Sequence, residues 1–437
     1  MRKRVGEVPL LFLVGAVALG LVAFAWAIEA GSSEAQQGVL HNCPQAGKWA
    51  LAVWDGADGT DAEQAFATCE GVSVAAAYSI DPGTQQWSRW FAGRPEPDMS
   101  NLRTLDNMQG VMALGSLGAP TPSVPGLSLF WGDLHGHTSY SDAEGLPSEY
   151  FAKCRENGVD FCALTDHAEQ LNAAEWEDIQ EQADASLEEG AFVSFAGFEW
   201  SSLVYGHKVA YFPDRIPGPC KNNDPECDSP EKLYQFLAEN DGLSHAAHPC
   251  GAPPAGTDWT RFDATYQPNM EYCGDDRPFA LGYRVGLLDA SDTHTVNPGG
   301  GNLTACWAES LTRKGILDAL RNRRCYAVYT LGGPGSFRPT VDFTVDGQPM
   351  GSEFSRPANS EVTATVSVTG QVQVEDVELV MNGVVIGASD CEGGCTYSLA
   401  ISVSEDSYVY PRLLARSAPD QPLQQLAWVS PVWVNVE

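Results

Sequence analysis

Seven of the eight histidines lie between residues 135 and 294, in short motifs that also hold acidic side chains. Imidazole is the most common metal ligand in proteins, and carboxylates complete many such sites. The motifs read Asp133-Leu-His135-Gly-His137-Thr, Thr-Asp-His167, Gly-His207-Lys, Ser-His245-Ala-Ala-His248-Pro and Ser-Asp292-Thr-His294. A chain that concentrates its histidines in this way is expected to build a metal centre.

The candidate ligands follow predicted strands. Apolar runs at Leu127–Trp131, Asp160–Leu164 and Ala191–Ala196 each end shortly before a candidate ligand. Helix patterns alternate with such runs over residues 128–335, which predicts βα units around a parallel sheet or barrel. Because barrel enzymes place their catalytic groups at the carboxyl ends of the strands, these side chains are expected to meet at one mouth.

The order of the motifs resembles that of the PHP superfamily, named for polymerase and histidinol phosphatase domains. The first motif extends over Asp133-Leu-His135-Gly-His137-Thr-Ser-Tyr-Ser-Asp142, and the others follow in order as Thr-Asp-His167, Glu199, His207, His248-Pro249 and Asp292-x-His294. The stretch Gly-Phe-Glu-Trp-Ser-Ser202 and the run from Trp307 to Tyr329 look most like the carbaryl-hydrolase branch. The resemblance covers roughly residues 128–335, just under half of the chain.

This resemblance implies a distorted (β/α)7 barrel that holds two to three divalent ions of zinc, manganese or iron. Carried over by motif, the metal ligands are His135, His137, Asp142, His167, Glu199, His207, His248, Asp292 and His294. Glu199 would bridge two ions, and a hydroxide that bridges them would attack a P=O or C=O group polarised by an ion. Glu199 and Asp292 therefore count as catalytic residues, and Asp133 and Asp166 are expected to orient ligand imidazoles.

His245 lies three residues before His248 and outside the matched motifs. One interpretation makes it a catalytic residue that protonates a leaving group. The alternative is a histidine that packs against or orients a ligand without touching the substrate. For the whole cluster, the alternative to catalysis is a metal site that only stabilises the barrel. Nine candidate ligands exceed the four of a closed structural zinc site, which favours an open, reactive centre.

The flanking segments have different compositions. Residues 40–117 contain short strand-like runs and predict a small β-rich domain, whose aromatic side chains either fill its core or line a ligand groove. A Pro-rich linker is predicted at 118–125. Residues 338–437 hold β-rich runs separated by Gly, Pro and Asp turns, which predicts a β-sandwich domain. The fold class is therefore α/β, with a PHP barrel between two β domains.

The amino terminus predicts export. Residues 1–30 combine a basic start, Met1-Arg2-Lys3-Arg4, with an apolar run over 8–28 and a small-x-small cleavage site at Ala25-Trp26-Ala27. This pattern is typical of a signal peptide, and the length of the run leaves an uncleaved membrane anchor as the alternative. The protein is expected in the periplasm, outside the cell or at the membrane.

The twelve cysteines agree with export, because an even count in an exported chain favours disulfides. Nearest-neighbour pairing is the simplest hypothesis. It pairs Cys43 with Cys69, Cys154 with Cys162, Cys220 with Cys227, Cys250 with Cys273, Cys306 with Cys325, and Cys391 with Cys395. Cys250 lies close to His248, and a disulfide to Cys273 is favoured over a role at the metals.

Net charge and motifs together limit the function. A formal charge of −32 argues against binding a nucleic-acid backbone, which needs a basic surface. The leading hypothesis is a phosphoester hydrolase acting on a small molecule, and the alternative cleaves carbamates, amides or carboxylic esters with the same centre. A second alternative is a non-catalytic surface protein whose β domains contact glycan or the cell surface. Loops near 214–230 and 250–283 offer four cations that could bind a phosphate: Lys221, Arg261, Arg277 and Arg284.

Overall fold

The computed structural model describes residues 38–45, 48–69, 72–92, 100–115, 126–254, 256–330, 337–369, 374–391, 394–416 and 422–437. They belong to two compact units, divided between Ser116 and Leu117. The predicted signal or anchor and the predicted Pro-rich linker at 118–125 lie outside the described residues. Across the described ranges, no helix combines the length and apolar character that crossing a membrane requires.

The first unit is a small antiparallel β structure. Its elements are β1 (Val39–His41), β2 (Trp49–Asp55), β3 (Thr60–Asp61), α1 (Ala62–Phe66), β4 (Val74–Ile80), β5 (Trp87–Phe91), β6 (Thr104–Leu105) and β7 (Gly110–Gly115). Five strands form one sheet in the order β1-β2-β7-β4-β5. One face of the sheet buries Trp54, Phe66 and Leu105 in a core with α1. The strand-like runs expected in this segment are present as β2 and β4.

The second unit begins with a mixed α/β region that carries the histidine motifs. Its strands are β8 (Ser128–Asp133), β9 (Phe161–Leu164), β10 (Val193–Ser202), β11 (Gly206–Tyr211), β12 (Leu243–Ala246), β13 (Asn269–Glu271), β14 (Gly286–Leu288), β15 (Leu303–Ala308) and β16 (Cys325–Val328). Its helices are α2 (Pro147–Glu156), α3 (Ala173–Ser186), α4 (Pro230–Glu239), α5 (Arg277–Ala280) and α6 (Arg313–Arg321), with a 3-10 turn at Trp259–Arg261.

These strands form one sheet in the order β14-β13-β12-β11-β10-β9-β8-β15-β16. Strands β8, β9 and β10 run parallel, and so do β12, β13 and β14. Strand β11 is antiparallel to both of its neighbours, and β15 is antiparallel to β8. The α/β class is therefore present with a mixed sheet, and the distorted (β/α)7 barrel stays a prediction.

Three helices begin at residues that favour a helix start. Pro147 and Pro230 occupy first-turn positions of α2 and α4, where the missing backbone N–H costs no hydrogen bond. The side chain of Asn172 caps α3 by accepting from two backbone N–H groups, and Glu175 completes the capping box. Helix α3 buries Trp176 against the sheet, so it supports the strands that carry the ligands.

A tight hairpin joins β10 to β11. Gly206 has a φ of +78°, and a Cβ atom there would lie 2.1 Å from the carbonyl oxygen of Gly256. Only glycine fits both the left-handed conformation and this close approach. The turn reverses the chain so that Glu199 on β10 and His207 on β11 face the same end of the sheet.

The remaining strands belong to the same compact unit. They are β17 (Thr340–Val345), β18 (Gln348–Pro349), β19 (Glu353–Arg356), β20 (Ser360–Thr369), β21 (Asp376–Met381), β22 (Val384–Asp390), β23 (Cys395–Val403), β24 (Ser407–Ala415), β25 (Gln424–Val429) and β26 (Val432–Val436). Strands β18, β17, β20 and β23 form a four-stranded sheet, while β25, β24, β21 and β22 continue the large sheet through the β16–β25 pair. A separate sandwich domain at 338–437 stays a prediction. Strands β25 and β26 are separated at Pro431, which lacks an N–H for the ladder.

Five of the six predicted disulfides form among the described residues, and the sixth prediction was wrong. The bonds join Cys43 with Cys69, Cys154 with Cys162, Cys220 with Cys227, Cys250 with Cys273, and Cys391 with Cys395. Cys306 and Cys325 are opposite each other on β15 and β16 but remain buried free thiols. Burial raises the pKa of the Cys306 thiol well above its usual value, which disfavours the thiolate that forms a disulfide.

Candidate metal centre

The ends of neighbouring strands bring the nine predicted ligand side chains together. Loops after β8, β9, β12 and β14 carry most of them, and β10 and β11 contribute one each. Four overlapping groups of donors arise, each with its ligand atoms within 4.8 Å of one another. The groups are His135–His137–Glu199, Glu199–His207–His248, His137–Asp142–His167–His294 and His135–His245–Glu271.

The His-Gly-His segment after β8 directs two imidazoles to one point. The Nε2 atoms of His135 and His137 are 3.2 Å apart, and both rings are buried. Asp292 Oδ1 lies 3.4 Å from the Nε2 atom of His135 and 3.2 Å from that of His137. Gly136 between them has no room for a side chain, because a Cβ atom would lie 2.5 Å from the hydroxyl of Tyr150. The glycine thus lets both histidines approach the same ligand position.

Glu199 is the centre of the cluster. Its side chain is 1% exposed, although it carries a carboxylate. One oxygen, Oε1, lies 2.7 Å from His207 Nδ1 and 3.3 Å from His248 Nε2. The other, Oε2, lies 2.9 Å from His167 Nδ1 and 3.6 Å from His135 Nε2. The two oxygens therefore face different imidazole groups, as a carboxylate shared between two cations would.

The third group lies at the open side of the cluster. Asp142 contacts His294 Nε2 at 3.3 Å and His167 Nε2 at 3.4 Å. The side chains of His294, Asp142 and Asp292 are 42%, 46% and 39% exposed, so solvent and a small molecule can reach them. Asp292 has a φ of +47°, which is unfavourable for a residue with a Cβ atom. Functional sites retain such backbone conformations when the surrounding structure fixes them.

The buried charges of the centre stabilise one another. Burial alone would raise the pKa of the Glu199 carboxyl, but the charge of His135 and hydrogen bonds from three imidazoles hold it well below its usual value. Burial disfavours the charged form of His135, but Glu271 and Glu199 outweigh it and raise the pKa of this imidazole. For His137, burial dominates and lowers the pKa. Glu199 therefore stays ionised and available to cations.

Glu271, a carboxylate at the end of β13, belongs to the cluster but to none of the sequence motifs. Its Oε1 atom lies 2.8 Å from His135 Nδ1 and 3.0 Å from His245 Nε2, and its Oε2 atom accepts from the backbone N–H of His248 at 2.6 Å. Burial would raise the pKa of the Glu271 carboxyl, but the charge and hydrogen bond of His135 hold it well below its usual value. The local signal was an acidic side chain between Met270 and Tyr272.

His245 contacts Glu271 and none of the nine predicted ligands through the hydrogen bonds of its ring. Its side chain is fully buried, and its two ring nitrogens are near Glu271 and the hydroxyl of Tyr211. Burial lowers the pKa of this imidazole. This placement favours the alternative in which His245 orients its neighbours, and a role as general acid at the substrate has no support from these contacts.

Asp133 and Asp166 have different partners from those expected. Asp133 accepts hydrogen bonds from the backbone of Ser291 and Gly299, so it joins the first and last motifs through the main chain. Asp166 accepts from the hydroxyls of Thr138 and Ser141. The Ser141 hydroxyl lies 3.4 Å from His137 Nδ1, which gives Asp166 an indirect contact with one ligand.

The donor set fits divalent ions. Imidazoles and carboxylates are the ligands that zinc, manganese and iron use, and each of the first three groups offers at least three donors. Two of these groups share Glu199 and two share His137, so the ions they bind would lie side by side. Two imidazole nitrogens at hydrogen-bonding distance, as in His135 and His137, also need a proton or a cation between them.

The four cations proposed for phosphate binding already have partners within the chain. Lys221 donates to the carbonyl of Leu171 at 2.5 Å. The guanidinium groups of the three arginines pair with carboxylates, as Arg261 with Glu231, Arg277 with Asp275 and Arg284 with Glu353. An anionic substrate would therefore depend on bound metal ions for most of its charge compensation.

Comparisons with known proteins find similarities of limited extent. An uncharacterised protein of Chlamydia pneumoniae is 22% identical over 367 residues, which cover 71% of this chain and 58% of that protein. The chain thus spans under two thirds of the length of this curated relative. Among solved structures, a two-domain protein of Bacteroides vulgatus containing a predicted PHP-like metal-dependent phosphoesterase matches at 17% identity and a TM-score of 0.42. That match covers 70% of this chain and 97% of the other. An amidohydrolase of Chromobacterium violaceum matches at 16% identity and a TM-score of 0.27, over 37% and 87% of the two chains. No protein-family model matches the chain.

Proposed function

We propose that the protein is a metal-dependent hydrolase of the PHP type, which most readily acts on phosphoesters. The observation that carries the proposal is the convergence of nine imidazole and carboxylate side chains, the buried Glu199 carboxylate among them. A structural zinc site closes with four ligands, whereas this cluster has more donors and an exposed side. The sequence resemblance in motif order supports the same assignment.

The side chains have separable tasks in this proposal. Glu199 would hold two ions through its two oxygens, with His135 and His137 on one side and His207 and His248 on the other. Asp142, His167 and His294 would hold an ion at the exposed edge. When bound, the ions would supply a Lewis acid and a water, shared between them, that ionises near neutral pH. Asp292 would hold an ion together with His135 and His137, which gives it and Glu199 their proposed catalytic roles.

The substrate class depends on which chemical group the bound ions would polarise. Phosphoesters are preferred because their negative charge matches a cluster of two to three cations. The carbaryl-hydrolase resemblance supports the alternative, a hydrolase of carbamates, amides or carboxylic esters, for which the same centre would polarise a C=O group. We also propose that the protein is exported, since five disulfides form among the described residues and such bonds persist in oxidising compartments.

Elemental analysis combined with a hydrolase panel tests this function. Purified protein is expected to hold at least two divalent ions and to cleave p-nitrophenyl phosphate or bis-p-nitrophenyl phosphate. A chelator should abolish turnover, and added zinc or manganese should restore it. Cleavage of aryl carbamates or carboxylic esters without any phosphatase activity would replace the first choice by the alternative.

A non-catalytic binding protein is the second candidate. The first unit exposes 48% of Trp49 and 61% of Trp87 on its sheet, and flat exposed aromatic rings are suited to stacking on sugars. Fewer than two ions per chain, with no chelator-sensitive hydrolysis, would favour this function.

A further inference from the structure

We infer that Glu271 is a positioning residue that fixes two ligands of the proposed metal centre at once. It holds the ring of His135 and the backbone of His248, which belong to different donor groups. The inference rests on the proposed metal-dependent function. Glu271 is not one of the nine ligands carried over by motif.

The first contact sets the direction in which His135 binds. Glu271 Oε1 is 2.8 Å from His135 Nδ1, and an ionised carboxylate only accepts hydrogen bonds. His135 must therefore carry its proton on Nδ1. This tautomer leaves the lone pair of Nε2, which faces His137 and Asp292, free for a metal ion.

The second contact holds the chain at His248. The backbone N–H of His248 donates to Glu271 Oε2 at 2.6 Å, and the residue has a φ of +29°, which is unfavourable for a side chain with a Cβ. A charged hydrogen bond at that N–H stabilises this conformation. The same conformation places His248 Nε2 3.3 Å from Glu199 Oε1, in the group that also contains His207.

The position of β13 explains why one carboxylate can reach both ligands. Strand β13 lies between β12 and β14 and pairs with both in parallel. Glu271 is its last residue, so the side chain leaves the sheet at the end where the ligands lie. His245 on β12 contributes a third hydrogen bond, from Nε2 to Glu271 Oε1 at 3.0 Å. Because both carboxylate oxygens are occupied, the carboxylate has little freedom to turn.

Glu271→Gln tests this role with a side chain of the same shape. An amide offers one acceptor oxygen and one NH2 group, so at least one of the three donors must face another donor. Zinc affinity, measured by competition with a chromogenic chelator, should fall 10- to 100-fold, as for other residues that orient metal ligands. The visible spectrum of the cobalt-substituted protein should change as well, because the geometry around the ion changes.

The control is Glu378→Gln, which removes the same charge from β21. Glu378 pairs with Arg412 at 2.5 Å and belongs to none of the donor groups. Its zinc affinity and cobalt spectrum should equal those of the wild type. His245→Phe should weaken zinc binding less than Glu271→Gln, and should have little further effect in the Glu271→Gln background, because His245 acts through Glu271.

The wild type provides a test that does not depend on a variant folding. In ¹⁵N-histidine-labelled protein with bound zinc, the shifts of His135 should show a protonated Nδ1 and a metal-bound Nε2. The opposite assignment, or unchanged zinc affinity and cobalt spectrum in Glu271→Gln, would overturn the inference while the hydrolase proposal stands. A wild-type protein that binds no zinc would instead reject the proposed function itself.

Discussion

Replacing Glu199 by Gln should weaken cation binding at the metal centre and leave the rest of the fold intact. The substitution keeps the volume of the side chain and removes its charge. Glu199 supplies one oxygen to His207 and His248 and the other to His167, with His135 further away at 3.6 Å. Both donor groups that share Glu199 should therefore lose affinity for cations, whereas the group of Asp142, His167 and His294 keeps its own donors.

The size of the effect follows from linkage. A cation present at 100 times its dissociation constant stabilises the folded state by about 2.7 kcal/mol per site. A unit of about 320 residues unfolds with an entropy of roughly 0.7 kcal/mol/K, so each bound ion should raise Tm by about 4 °C. The two ions that Glu199 would hold should raise it by about 8 °C in the wild type, and the Gln variant should lose about 4 °C or more of that gain.

Differential scanning calorimetry of chelated protein, with and without added zinc, measures this difference. Elemental analysis of the same samples counts the ions. Glu378→Gln is the matched control, and its zinc-dependent shift should equal that of the wild type. If Glu199→Gln kept the full shift and the full number of ions, Glu199 would not bridge a metal pair.

Three further predictions concern other parts of the molecule. His135→Ala and Asp292→Ala should each lower kcat by more than about 100-fold while far-UV circular dichroism stays unchanged, and wild-type rates in either would contradict the assignment. Burial lowers the pKa of Lys208 to about 8 from 10.5, so stability should rise with pH between these values. Lys208→Met should therefore raise the free energy of unfolding at pH 7 by up to about 3 kcal/mol, with the gain disappearing near pH 10.5 in urea titrations of chelated protein. Thiol titration of the unfolded, unreduced protein should find the thiols of Cys306 and Cys325, and a result of none would restore the sixth disulfide.

The ligand set was accessible from the sequence because each ligand sits in a local motif at a strand end. Strand β8 leads to His135, and β9 leads to His167. These signals need only an apolar run followed by a histidine or an acid. The starts of the helices were accessible for the same reason, since Pro147 acts within one turn of its own helix.

The features that the sequence did not reveal depend on strands that are distant in the chain. Glu271 is 136 residues from His135, so no spacing rule connects them. The pairing of β16 with β25, which continues the large sheet into the C-terminal strands, likewise has no local signal. The antiparallel direction of β11 was not predicted; the three residues between β10 and β11 reverse the chain at Gly206, where a helical crossover would need ten or more residues. For Cys306 and Cys325, the expectation that the two residues lie close together was right, but they are free thiols and not a disulfide.

The contacts around the two buried glutamates indicate how the centre can be preformed. Glu199 and Glu271 each accept hydrogen bonds from nearby imidazoles, and these carboxylates raise the pKa of His135 while Glu199 raises that of His167, so protons on these two imidazoles balance part of the carboxylate charge before any cation binds. Glu271 contacts the Nδ1 atom of His135, whereas Glu199 lies near the Nε2 atom of the same ring. Cations would compete with the protons on the side of the ring that faces Glu199. Metal binding should then exchange protons for ions around Glu199 and leave the Glu271 contacts intact. On this account the fold supplies the arrangement, and the ions mainly supply charge.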